Sequence, residues 1–251
     1  MAGKEKTRRS PSFRQASVRR ADTLQSNQIT CFLLAKALCM FQPSIFRETD
    51  TSNMHMLMRS HPFATLVTAS DGVLSADHLP LVLHSEDSGR SVLHGHLSAG
   101  NPLCRAGGSG SEVLGVFHGP QSYITPSWYA SKAEHGRVVP TWNYVSVHVR
   151  GALRLTRDPK WLLRHLEDLT AQHESEREKP WSVADAPDDF VERQFRGLVG
   201  LEITISDLQG VWKVSQNKTS VDQSGVAAGL RSEGGAEEVA ISELVEAHGR
   251  S

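Results

Sequence analysis

At 251 residues and 39% hydrophobic content, the chain is long enough for one domain with a sizeable core and a small appendage. Its net charge of −1 joins two unlike parts: residues 1–39 hold eight Lys/Arg and two acids, net +6, and the remainder holds 19 basic and 26 acidic residues, net −7. An acidic body attracts duplex phosphates poorly, which counts against general DNA binding. The three cysteines (Cys31, Cys39, Cys104) form no CxxC pair, which argues against a disulfide framework. They predict a reduced, cytoplasmic setting. No apolar run approaches the ~20 residues of a membrane span.

In chain order, residues 1–28 are rich in Arg, Ser and Gln and predict disorder, and residues 29–41 form a short apolar run broken by Lys36. Together they imitate an Arg-rich, acid-poor presequence. Thr49-Asp50 offers a helix N-cap, Met54, Leu57 and Met58 recur at helical spacing, and Pro62 stops that helix. Residues 63–69 read as a strand, Ser70-Asp71-Gly72 as a turn, and 73–83 as the returning strand, kinked at Pro80. Residues 90–97 give a third strand. Asn101-Pro102 opens a short helix, residues 107–111 form a glycine-rich loop, and 112–117 make a fourth strand. That loop lacks the GK[ST] of a phosphate loop, and Ser109 lacks the closing glycine of a nucleophile elbow.

Residues 117–144 gather Tyr123, Trp128, Tyr129, Trp142 and Tyr144 in a chain with only 6% aromatics. Pro120, Pro126 and Pro140 prevent one regular helix there. Aromatics beside rigid turns and polar groups (Ser127, Thr141, Asn143) suit either a proline-crossed core or the walls of a site for a flat ring. From 145 to 155 the chain alternates as a half-buried antiparallel strand. Asp158-Pro159 starts a helix with a Leu162, Leu166, Leu169 stripe and Trp161 beside it, and 185–196 makes another. Strands are predicted at 198–205 and 211–214 and a helix at 221–230. A Gly/Ser linker follows, and 237–247 reads as a marginal helix or frayed tail. Six or more strands with hairpin signals and helices around them predict a mainly β, closed antiparallel barrel with α decoration.

The order of residues in several blocks is more specific. Phe117-His-Gly-Pro-Gln-Ser-Tyr123-Ile-Thr-Pro-Ser-Trp-Tyr129 and Val139-Pro-Thr-Trp-Asn-Tyr144 resemble the PaiB family, the FMN-binding negative transcriptional regulators. So do His61-Pro-Phe-Ala-Thr-Leu-Val-Thr68, Ala76-Asp-His-Leu-Pro-Leu81, Gly95-His96 with Asn101-Pro102, and Lys213-Val-Ser-Gln-Asn217. The resemblance covers roughly residues 40–230. It implies a flavin split barrel, a homodimer with FMN at the subunit interface, and DNA as a partner. Family members begin near the match to Met40, so residues 1–39 read as an upstream mis-assigned start in preference to a targeting segment. The organisation expected is an extension at 1–39, a split-barrel domain at 40–230 and a flexible tail at 231–251.

FMN asks for cations or N–H donors at its phosphate, flat apolar walls for its ring, and donors at its N1/C2=O edge. Lys213, Ser215, Gln216 and Asn217, directly after Trp212, read either as a ligand-facing turn or as a solvated one. Thr65, Thr68 and His78 approach from neighbouring strands, with Pro80 at the kink; a histidine on a strand also serves as a packing residue. His96 and Asn101 bracket a turn that faces the pocket or ties down the loop, and Trp142 and Asn143 complete the set. His94 and His96 share a strand face and superficially make a metal trio with His78, but no carboxylate or thiolate stands at ligand spacing, so no metal is expected. No catalytic acid, base or nucleophile stands out. Cys104 and Asp77 depart from the family pattern, and Asp77 adds negative charge beside a phosphate site. An oxidoreductase on the same barrel, or a regulator with a vestigial pocket, stays open.

Overall fold

The order of strands in the sheet determines the shape. In the computed structural model, which describes residues 40–70, 72–85, 90–105 and 109–249, the sheet contains β1 (Arg47–Glu48), β2 (Phe63–Ser70), β3 (Val73–Pro80) and β4 (Val82–Ser85). It continues with β5 (Ser91–Ser98), β6 (Glu112–Ile124), β7 (Thr141–Thr156) and β8 (Leu198–Lys213). All pairings are antiparallel, in the order β3-β2-β6-β7-β8-β5-β4, with β1 added beside β8. The strands β3 and β4 stand at opposite ends of this order, yet Leu81 alone separates them in the chain. A sheet whose two ends lie one residue apart has to curl into a barrel.

Pro80 explains the break. It is the last rung opposite Phe63, and it has no N–H with which to extend the ladder. The Leu81 N–H instead donates to Pro62 O at 2.9 Å, and the Leu81 side chain is buried in the barrel core. The single returning strand predicted for 73–83 is therefore two strands at opposite sheet ends. The antiparallel barrel with peripheral helices is the observed architecture. The expectations placed on residues 1–39 (with Cys31 and Cys39), on Asp71, and on Gly107 and Gly108 lie outside the described residues.

Alternation fills the interior: Leu66, Leu93, Phe117, Val147, Leu201 and Ile203 are all fully buried. Two predicted strands, 198–205 and 211–214, are one. The strand β8 runs through Ser206 and Asp207, which are exposed, and Ser206 is an extra residue bulged out of the ladder opposite the Arg150–Gly151 step of β7. A Cβ at Gly151 would overlap the Thr204 carbonyl oxygen, so only glycine fits the bulge. The strand β6 likewise continues past Pro120, because a bulge between His118 and Gln121 takes the proline out of the ladder. The Gln121 N–H finds the Glu237 carboxylate at 2.8 Å.

Among the described residues six α-helices surround the barrel: α1 (Thr51–Ser60), α2 (Ser131–His135), α3 (Pro159–Glu174), α4 (Asp188–Arg196), α5 (Ser220–Glu233) and α6 (Ala236–His248). Asp50 caps α1 by accepting from Ser52 N at 2.8 Å, and Asp158 caps α3 by accepting from Lys160 N at 3.0 Å. The buried stripe of α3 is Trp161, Leu162 and His165, not the leucine series 162, 166, 169. The rotation follows from Gly200, over which the Trp161 ring lies so closely that a Cβ would overlap it. Among the described residues no helix is long and apolar enough to cross a membrane.

Residues 231–249, predicted as a flexible tail, carry the end of α5 and all of α6. Gly234, at φ 74°, turns the chain between them, and Ser242 Oγ donates to Ala227 O at 3.0 Å. Ile241 and Val245 enter the core cluster. Cover for those two side chains comes from elements distant in sequence, which is why the segment alone looks marginal. The Ile241→Ala variant is expected to lose about 2–4 kcal/mol of stability in urea unfolding, where a tail residue would show no change.

Candidate functional site

The richest cluster of polar groups lies where β7 begins and β8 ends. Tyr144 pairs with Lys213, and the Lys213 ammonium donates to Thr141 Oγ1 at 2.6 Å and to Trp142 O at 2.7 Å. Burial, and then the neighbouring Lys218, push the Lys213 pKa below its ordinary value. Two of its three N–H donors are engaged in these bonds, which leaves one for an incoming oxygen. Beside it, Trp142 and Tyr123 are each 48% exposed, their rings edge to face at 6.1 Å, and Trp142 Nε1 donates to Gln121 Oε1 at 3.2 Å.

The turn after Lys213 is held from within. Ser215 adopts φ 68°, a conformation that side chains other than glycine's rarely take, and it is buried. Its Oγ accepts from Asn143 Nδ2 at 2.9 Å, while the buried Asn143 Oδ1 has no partner. Gln216 spends both ends of its amide on the turn, accepting from Val214 N and donating to Trp212 O. Asn217 is exposed. The structure thus brings Trp142, Asn143, Lys213, Ser215, Gln216 and Asn217 together.

A second group sits on the same outer wall of the barrel. Thr65 Oγ1 lies 3.1 Å from His78 Nδ1, and the ring of Phe63 stands 6.4 Å from that of His78. Register runs from His78 to Thr65, Val116, His148 and Gln209 across five strands. On β7, Trp142, Tyr144 and His148 share one face by alternation, so Lys213, opposite Tyr144, is roughly 13 Å along the strand from this row. Burial first, then His118 and Arg150, lower the His148 pKa. Pro80 ends β3, half-buried, and Thr68 points into the barrel end.

The remaining candidates are engaged elsewhere. Asn101 caps a 3-10 turn at Pro102–Cys104 through Leu103 N and donates to Asp77 Oδ1 at 2.6 Å, so it ties the loop down and engages Asp77. His96 faces α3, and its Nδ1 lies 3.0 Å from His165 Nε2. Among the described residues no group of three or more His, Cys, Asp or Glu is placed to hold a metal ion.

Sequence reasoning missed Lys218, whose ammonium stands 4.6 Å over the Tyr129 ring, and Thr141 as the Lys213 acceptor. The spacing of two lysines around a polar turn was the available signal. It also missed His84, Trp161, His165 and Glu202 around His94 and His96, where no local pattern links the four elements involved.

Residues 40–207 match the model of a family described as "Putative FMN-binding domain". The chain is 32% identical over 208 residues to protease synthase and sporulation protein PAI 2 of Bacillus subtilis strain 168, covering 82% of this chain and 97% of that protein. It is 33% identical over 230 residues to an uncharacterized protein of Emericella nidulans, covering 78% of this chain and 92% of that protein. Among solved structures, the flavocytochrome Anf3 from Azotobacter vinelandii aligns with a TM-score of 0.48 at 12% identity, over 66% of this chain and 69% of that one. The Lys213 turn lies C-terminal to the range matched by the family model. On this match and these relatives, the chain belongs to the FMN-binding-domain family, as a PaiB-like member.

Proposed function

We propose that this protein binds FMN between two copies of its barrel, with the phosphate at Lys213 and the ring along the outer wall toward Thr65 and His78. The observation that carries the reading is that a part-buried ammonium with one uncommitted donor, two half-exposed aromatic rings and the Thr65–His78 pair all occupy one face. The donor set fits the cofactor. A cation whose pKa is lowered by burial and by a second lysine gains most from an arriving phosphate, and Trp142 and Tyr123 offer flat apolar surface. The bound flavin supplies electron-transfer chemistry. This chain's residues hold and orient it: Ser215 and Gln216 shape the turn, and Lys213 and Asn217 face the ligand.

The second copy covers the same wall. Phe63, Tyr123 and Trp142 are exposed there, and Thr65, Val67, Leu114 and Val116 are only half-buried, an apolar band wide enough to favour self-association. The repressor role that the resemblance implies gains no help from charge, since residues 40–251 carry net −7. A gel shift that survives competitor DNA supports that role. Bleaching by NADH or NADPH, with reoxidation by an acceptor, supports an oxidoreductase instead.

Two variants test the site. Lys213→Ala is expected to weaken FMN about 10- to 100-fold in a flavin-fluorescence titration and to leave the dimer intact, in line with the loss of a charged hydrogen bond of roughly 1.5–3 kcal/mol. Unchanged affinity removes Lys213 from the site. Val116→Asp, which places a charge in the apolar band, is expected to give monomers by light scattering and to lose FMN as well. Monomeric wild-type protein that still binds FMN overturns the shared site.

A further inference from the structure

Away from the flavin wall, α3 is seated on the barrel over a seam of four histidines from three elements: His84 on β4, His94 and His96 on β5, and His165 on α3 itself. The rings are in contact, with centroids 4.3 Å apart for His84 and His94, 5.2 Å for His96 and His165, and 6.5 Å for His94 and His165. Trp161, one turn before His165, stacks on it at 5.4 Å and fills the space over Gly200. His165 is 1% exposed.

The hydrogen bond at the centre of this seam fails once both of its imidazoles are charged. The 3.0 Å bond between His96 Nδ1 and His165 Nε2 needs one donor and one acceptor, so protons on both bonded nitrogens set two donors face to face. His165 Nδ1 is buried without a partner, so a charge on that ring has no acceptor there. Two carboxylates stand at the edge: Glu202 Oε2 lies 3.2 Å from His94 Nε2, and Asp168 Oδ2 lies 3.8 Å from His84 Nε2. Glu202, on β8, is already held by Arg154 of β7 through two bonds of 3.0 Å, which offsets its charge. Among the described residues no acid faces the His96–His165 bond.

We propose that this seam is an acid-triggered latch: protonation of its histidines releases α3 from the barrel wall while the barrel itself stays folded. The release is local because α3 holds the wall by three buried side chains, Trp161, Leu162 and His165, whereas β4, β5 and β8 are tied by ladder hydrogen bonds.

The sign is fixed by the direction of the shifts. Burial first, and then His96, His94 and His84, hold the His165 pKa down at about 3 against an ordinary 6.5, and burial also lowers His94 and His96. Groups depressed in the docked state lend stability that is complete above 6.5 and is lost as pH falls from there toward 3. By pH 5 the His165 share alone raises the opening equilibrium about 30-fold.

Hydrogen exchange of the full chain, read by mass spectrometry at pH 7.5 and pH 5.0 with intrinsic rates corrected, tests this. The expected result is an opening of residues 159–174 that grows about 30-fold or more toward pH 5.0, with β7 and β8 amides still protected. His165→Phe keeps a flat ring without a titrating proton and is expected to remove about 30-fold of that rise. His165→Leu serves the same purpose if the phenylalanine does not fit. Protection of α3 that is unchanged at pH 5.0, loss of α3 and β7–β8 together, or an undiminished rise in the folded variant each overturns the latch.

Discussion

The barrel depends on one junction. Pro80 lacks the N–H that would prolong the β2–β3 hairpin, and Leu81 carries the chain from one end of the sheet to the other in a single residue. Its side chain lies in the core near Leu79, and a Cβ at Gly95 would crowd both leucines, so β5 closes onto the seam only with glycine there. Everything on the outer wall inherits its position from that closure. With the ends of the sheet joined, β6, β7 and β8 are fixed as a continuous wall whose inner side chains make the core and whose outer ones remain for recognition.

The two bulges extend that logic. Gly151 lets β7 keep pairing with β8 from Tyr144 to Thr156, and the irregularity at Pro120 lets β6 run past a proline to Ile124. Long strands carry Trp142, Tyr123 and Lys213 beyond the closed part of the barrel, where their faces are open. The helical hairpin of α5 and α6 then props this extension from the other side. Glu237 and Glu238 accept from Gln121 N and Ser122 Oγ, and Trp128 lies tight over Gly229. The face that carries Trp142, Tyr123 and Lys213 is thus supported by structure on the far side of the sheet from it. The histidine seam beneath α3 lies on a different wall, so the two devices have separate foundations.

Polar residues of the same type end in different uses because their donors are committed by neighbours. Asn143 and Asn101 are both amides in the blocks that resemble the family. One shares a buried bond with Ser215 and keeps a bare oxygen, and the other is fully engaged with Leu103 N and Asp77. His78 and His96 likewise divide between an exposed wall and a buried helix contact. A residue's chemistry is written in its side chain, but its availability is a property of what surrounds it.

Local physics was legible from the residues alone. Asp50, Asn101 and Asp158 cap the turns that follow them because the donating N–H is only two residues on, and the alternation from 145 to 155 gives the inner face of β7 directly. The family blocks also pointed to the Lys213 turn before any contact was known. Long-range pairing remained hidden: Leu81 joining the two sheet ends, Trp161 turning α3 onto Gly200, His165 meeting His96 across 69 positions, and α6 finding its cover. The sequence by itself determined where the chain is extended, the caps, the barrel class and the family resemblance, but not where the strands break or join. Tertiary structure alone decided which polar groups are spent and which are free, because a donor is used up by whatever the fold brings within 3 Å, and that neighbour lies far away along the chain.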